Sequence, residues 1–189
     1  MYASLVRRLL ALAALALSLG CRAPSIPAQP SPREYALLGD WVEQTGSTLP
    51  PQVSLVIDTE ALVPSQREMQ FQQCLPPRMQ AIFNTAAPAT LASSSGNDWL
   101  RLSDGRSATL HPNGATLSFT RPTQIFRVSR VAFTRSGYEA FLWVEHQTCQ
   151  ADPAHPGCEG LSGALLHAHK SDGAWTFEET TCQAIVFPT

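Results

Sequence analysis

The chain has 189 residues, with 13 basic and 15 acidic side chains and a net charge of −2. That length fits one domain, or at most two small ones, and the balanced charge excludes a basic nucleic-acid binder with clustered Lys and Arg. Apolar residues make up 44%, as in ordinary globular proteins, which excludes wholesale disorder.

Arg7 and Arg8 precede an apolar stretch over 9–19, too short to persist as a spanning helix. Small residues follow, and then Cys21. This is the layout of a bacterial secretion signal, so 1–20 is read as a signal peptide. Ser18-Leu19-Gly20-Cys21 resembles a lipobox, in which the cysteine becomes the lipidated first residue. Ser18 and Gly20 also fit ordinary cleavage, which would leave a soluble periplasmic or secreted product. Segment 22–33 holds four prolines and reads as an extended tether. The expected organisation is therefore signal 1–20, lipid-anchored tether 21–33 and a single domain over 34–189. Without 1–20 the chain carries 11 basic against 15 acidic residues, a balance that attracts neither phosphate nor anionic lipid. The expected location is the bacterial envelope, facing the periplasm. Arg22 is not the Asp that holds some lipoproteins in the inner membrane, which favours the outer one. The expected partners are the membrane, through the lipid, and an envelope protein; neither nucleic acid nor cofactor is expected.

The other cysteines are Cys74, Cys149, Cys158 and Cys182. Four cysteines allow three connectivities, and an exported compartment favours pairing them. The preferred pairing is Cys149 with Cys158, across a short loop with two prolines and a glycine, and Cys74 with Cys182. No Cys-x2-Cys spacing supports a zinc-thiolate site.

In chain order, Tyr35, Leu38, Trp41 and Val42 recur at helical spacing and predict a helix over 34–44, with Ser31 or Arg33 near its start, Pro32 suited to its first turn, and Gly46 at its end. A short apolar run over 53–58 reads as a buried strand. Pro76-Pro77 opens a second helix to about 84, with Met79, Ile82 and Phe83 on one face. Segment 85–97 reads as a loop. Strands are predicted over 99–103, 108–111 and 115–119, separated by Asp104-Gly105 and Asn113-Gly114, both hairpin signals. Further strands follow over 124–134, 138–147, 163–170 and 175–179, with turns at Ser136-Gly137 and Ser171-Asp172-Gly173. In the strand over 138–147, Tyr138, Ala140, Leu142, Val144 and His146 share one face, and Glu139, Phe141, Trp143 and Glu145 the other. The fold class is α+β: an antiparallel β-sheet formed mainly by the C-terminal half, packed against one or two N-terminal helices.

Ser129-Arg130-Val131-Ala132-Phe133, the strand Ala140-Phe141-Leu142-Trp143-Val144, the loop from Gly157 to Gly163 and the closing Lys170-Ser171-Asp172-Gly173-Ala174-Trp175 resemble a family of bacterial secreted proteins and lipoproteins without an assigned activity. The resemblance covers 124–176. It implies a fold and a compartment but no chemistry. The stretch between Cys149 and Cys158 is longer than the compact Cys-Gly-x-Leu-Cys-Gly form of that family.

Several residues are candidates for function. His167 and His169, two apart on a strand, point the same way at about 7 Å and could share a metal, with His146 as a third ligand. The plain alternative places both on a solvated sheet face. Nothing resembles His-Glu-x-x-His. Ser162 lies in Gly160-Leu161-Ser162-Gly163, which is not the Gly-x-Ser-x-Gly of a nucleophile elbow. A triad with His146 or His167 and Glu145 or Glu159 can be written only on paper. Arg127, Ser129, Val131 and Phe133 are placed on one face and Val128, Arg130 and Ala132 on the other. Arg130 then pairs with Glu139 or Glu145, either as a carboxylate-binding pocket or as a structural ion pair. Phe141 and Trp143 form a binding surface if their face is uncovered and a core if it is not. Trp99, Trp143 and Trp175 are core anchors, or line a groove for sugar or peptide. The functional expectation is a non-enzymatic envelope binding domain, with a metal- or His-dependent hydrolase using His146, His167 and His169 as the alternative.

Overall fold

Ser31 starts the first helix with a capping box: its hydroxyl accepts from the Glu34 amide while the Glu34 carboxylate accepts from the Ser31 amide. In the computed structural model, which describes residues 29–63, 75–83, 90–93, 96–112, 120–151 and 158–180, this helix, α1, spans Pro32–Thr48. It runs past the expected end. Gly46 sits inside it, where any side chain would collide with Leu102. The freed carbonyls of the last turn are met from outside, since the Arg106 guanidinium donates to Gly46 O at 2.7 Å and to Leu49 O at 3.3 Å. A cation there also suits the helix dipole.

The remaining elements are β1 (Ser54–Asp58), α2 (Pro77–Phe83), β2 (Thr109–His111), β3 (Thr123–Val128), β4 (Ala132–Phe133), β5 (Glu139–Cys149), β6 (Cys158–Ser171) and β7 (Ala174–Thr180). They form one mostly antiparallel sheet in the order β2-β1-β3-β5-β6-β7, with β4 also on β5. The fold is α+β, with the helices on the N-terminal side. One feature departs from the expected antiparallel plan: β1 runs parallel to both β2 and β3. The expected strand over 99–103 is instead a 3-10 turn, Asp98–Leu100, followed by a lone bridge from Arg101 to Ser107 across the Asp104-Gly105 turn. Leu100 and Leu102 still alternate inward, which is the signal that imitated a strand. The expected strand 115–119 lies outside the described residues, as do Cys21, Cys74 and Cys182.

The β6–β7 hairpin closes through Asp172 and Gly173, both at positive φ, as a two-residue turn between right-twisted strands requires. On one sheet face, α1 buries Leu37, Leu38, Trp41 and Val42 against Phe126, Val128, Leu142, Val144 and Trp175. On the other, Leu75 and α2 residues Met79 and Phe83 cover Ala132, Phe141 and Leu165.

The long strand expected over 124–134 is interrupted. Val128 opposes Val144 and Ala132 opposes Phe141, so Arg130 and Val131 together oppose Leu142 alone. This is a β-bulge. It shifts the alternation by one residue: Val131 and Phe133 join Val128 on the α1 face, and Ala132 faces α2. Ser129 holds the junction. Its hydroxyl accepts from the Trp143 amide at 2.8 Å and donates to Arg130 O at 2.8 Å.

Candidate functional site

The bulge decides where Arg130 goes. Its guanidinium turns toward α1 and grips Glu34 through two bonds, Nε to Oε1 at 2.7 Å and Nη2 to Oε2 at 2.8 Å. The two residues are 8% and 5% exposed. The expected partners Glu139 and Glu145 are therefore replaced by Glu34, because the extra residue re-aims the side chain across the core. Arg130 is a structural tie between the helix start and the sheet centre, closed to ligands.

Glu145 is instead partnered by Arg127, opposite it in register, with Nη1 3.2 Å from Oε2. Arg127 also lies 3.6 Å from the Asp58 carboxylate on β1. Sequence reasoning passed over this trio. The Arg127–Glu145 pairing follows once β3 and β5 are aligned, but Asp58 needs the parallel β1–β3 ladder, which no local pattern announces.

His146 and the other two histidines are separated by the sheet. His146 on β5 opposes Ser162 and faces α1. His167 opposes Phe141 and stacks on it at 4.7 Å and 6°, on the α2 side, and His169 shares that side two residues on. The expected three-histidine metal site does not form, because its members lie on opposite faces. Among the described residues no group of three His, Cys, Asp or Glu is placed to hold a metal ion. His167 lies between two carboxylates instead, with Nδ1 3.3 Å from Glu178 and Nε2 3.7 Å from Glu139, the latter too far for a hydrogen bond.

Phe141 is 1% exposed under α2, so it is a core residue and not a ligand-binding surface. Trp143 is half-buried beside that cluster. Its indole lies over the backbone of Gly163, where a Cβ would stand 2.6 Å from Trp143 Cζ2. Trp175 is core. Cys149 and Cys158 are bonded as expected, at opposed positions joining the end of β5 to the start of β6. Gly160, at positive φ, sits where the β5–β6 register shifts between His146 and Thr148, a backbone geometry that glycine adopts freely.

On the α1 face the cover is incomplete. A helix of 17 residues is about 25 Å long, whereas the 14 residues of β6 extend for about 46 Å. Positions 158–163 are all exposed. Where the helix runs out, a cavity of about 300 Å³ opens between its last turns and the sheet. Phe126, Val144, Leu166 and Phe177 form its apolar floor. Gln44 and Thr48 from α1, with His146 and Glu179 from the sheet, bring polar groups to its edge.

His146 stacks on Phe126 at 5.7 Å and meets Ser162, whose Oγ lies 3.1 Å from Nδ1 and 3.3 Å from Nε2. Near-equal distances to both nitrogens place the oxygen side-on to the ring, in line with neither lone pair. A general base must be aimed at the proton it takes. Glu145 lies on the opposite face and orients Arg127, so it cannot complete a triad with Ser162 and His146.

Among the described residues no helix is long and apolar enough to cross a membrane. Comparison of the chain with protein-family models, with curated proteins and with solved structures gave no match.

Proposed function

We propose that this chain is an exported envelope domain, lipid-anchored through Cys21, that acts by binding and not by catalysis, with its ligand seated in the groove beside the end of α1. The groove carries the reading. An apolar floor with a few hydrogen-bonding groups at the edge is the composition of ligand sites, and 300 Å³ lies at the small end of their range. Export is supported by the Arg7-Arg8 pair, the apolar stretch over 9–19 and Cys21. The Cys149–Cys158 bridge supports it too, since such bonds persist in oxidising compartments. The resemblance of 124–176 to secreted proteins and lipoproteins points the same way.

Intact mass of the protein from its native envelope, combined with photo-crosslinking from Thr48, tests both halves of the reading. The expected mass is that of the chain from Cys21 plus acyl groups. The expected crosslink is a discrete adduct that disappears when Ala164→Phe fills the groove. An unlipidated mass refutes the anchor. No adduct, or one indifferent to Ala164→Phe, refutes the groove.

A further inference from the structure

A second cavity, of about 480 Å³, lies along the first half of α1, away from the groove. Pro32, Tyr35, Ala36 and Gly39 are at the spacing of one helical face. Ala36 and Gly39 contribute almost no side chain, so the face is hollow beside the Tyr35 ring. The facing wall is Trp99, whose Cβ stands 3.5 Å from where a Gly39 Cβ would lie. The two rings meet at 5.9 Å with 39° between their planes, forming an open corner with both residues half-buried. Burial, the largest effect, holds the Tyr35 hydroxyl above its ordinary pKa, against the opposing pull of the Ser93 side chain beside it.

The polar groups around this corner select a chemistry. Asp98, exposed and paired with Arg101 at 3.4 Å, sits at the mouth with Gln29 and Ser93. Trp99 Nε1 is buried with no hydrogen-bond partner. No lysine, arginine or histidine lines the cavity among the described residues, so its wall offers an anion no cation. A ligand here needs a flat apolar face for the rings and neutral groups that both donate and accept. Hydroxyls do both. We propose that this pocket binds a saccharide, with the C–H face of a neutral pyranose against Tyr35 and Trp99 and its hydroxyls at Asp98, Ser93 and Gln29. Aromatic grooves also take proline-rich peptides, but here the chain's own buried Pro30 already closes one side.

The test is a titration of the mature chain with chitotriose and maltotriose, followed by tryptophan fluorescence and by ligand-observed NMR. A saturable response to at least one sugar is expected. Trp99→Ala should weaken it at least ~10-fold, the loss of about 1.4 kcal/mol. Asp98→Asn should weaken it a few-fold, and Ala36→Trp, which fills the pocket from an exposed position, should abolish it. If Trp99→Ala does not fold, the two exposed-site variants carry the test, with thermal melting as the control for folding. No response to either sugar at its solubility limit overturns the proposal. So does a response that survives Ala36→Trp, or a polyproline peptide that binds through these residues while the sugars do not. The groove plays no part in this test, so Ala164→Phe should leave it unchanged.

Discussion

Replacing Glu34 by Gln tests the tie between α1 and the bulge. The change keeps the side-chain shape and removes the charge, leaving the Arg130 guanidinium buried without its anion. Both residues are under a tenth exposed and joined by two short bonds. Breaking such a buried pair costs about 3–5 kcal/mol. At about 2–4 °C per kcal/mol for a domain of this size, that is a fall in Tm of roughly 6–20 °C. Arg130→Met should fall at the lower end, because Glu34 keeps the amides of Ser31, at 2.8 Å, and Val131, at 3.4 Å. The double variant removes both charges and should recover most of the loss, since apolar replacements of whole buried pairs are often neutral. Urea unfolding of the four proteins at pH 7 gives the coupling energy. Single variants costing under ~1 kcal/mol, the value of an exposed pair, would refute the reasoning. So would a double variant costing the sum of the two.

Ser129→Ala should cost about 1–3 kcal/mol in urea unfolding, because it strips the Trp143 amide of its side-chain acceptor and the Arg130 carbonyl of a donor at a buried site. Gly163→Leu should cost about 1–3 kcal/mol and change the tryptophan emission, because the new Cβ meets Trp143 Cζ2 at 2.6 Å; unchanged emission would argue against that contact. Asp104 accepts from the Arg106 amide at 2.9 Å and from its Nε at 2.6 Å, which holds its carboxyl below the ordinary 3.8. A depressed carboxyl contributes stability that is present above pH 3.8 and lost as pH falls through the lower folded value. Asp104→Asn should therefore destabilise at pH 7 and make no difference once acid has protonated the wild-type carboxyl, as read from melts across that range.

The α+β class, both helices, the β5–β7 meander and the Cys149–Cys158 bond were legible, because each rests on a local pattern. The alternation of Ala140, Leu142 and Val144 against Phe141 and Trp143 is read correctly from spacing alone. What failed depends on residues distant in sequence. One extra residue at Arg130–Val131 reverses the faces downstream, and no composition marks it. The buried run at Leu55–Ile57 says that β1 is covered on both faces, but not that its neighbours run parallel to it. The histidine trio failed through register. His167 and His169 do share a face, but only the pairing of β5 with β6 shows that His146 lies behind it. One cavity sits where α1 meets the sheet and the other between α1 and the turn at Asp98–Leu100, and periodicity within one element cannot reveal a space between two.

The parallel ladder of β1 on β3 has a consequence for how the chain comes together. β5, β6 and β7 are sequential neighbours that join by short closures, whereas Ser54 must find Thr123. Local closure is fast and distant closure slow, so the C-terminal meander is the natural nucleus. Leu142→Ala, inside it, should then slow folding, while Leu55→Ala should mainly speed unfolding; stopped-flow rates showing the reverse would remove this order of events. Synthesis runs the other way. α1 and β1 leave the ribosome first, with their apolar faces ready, and must wait unpartnered until the strands they dock on have been made.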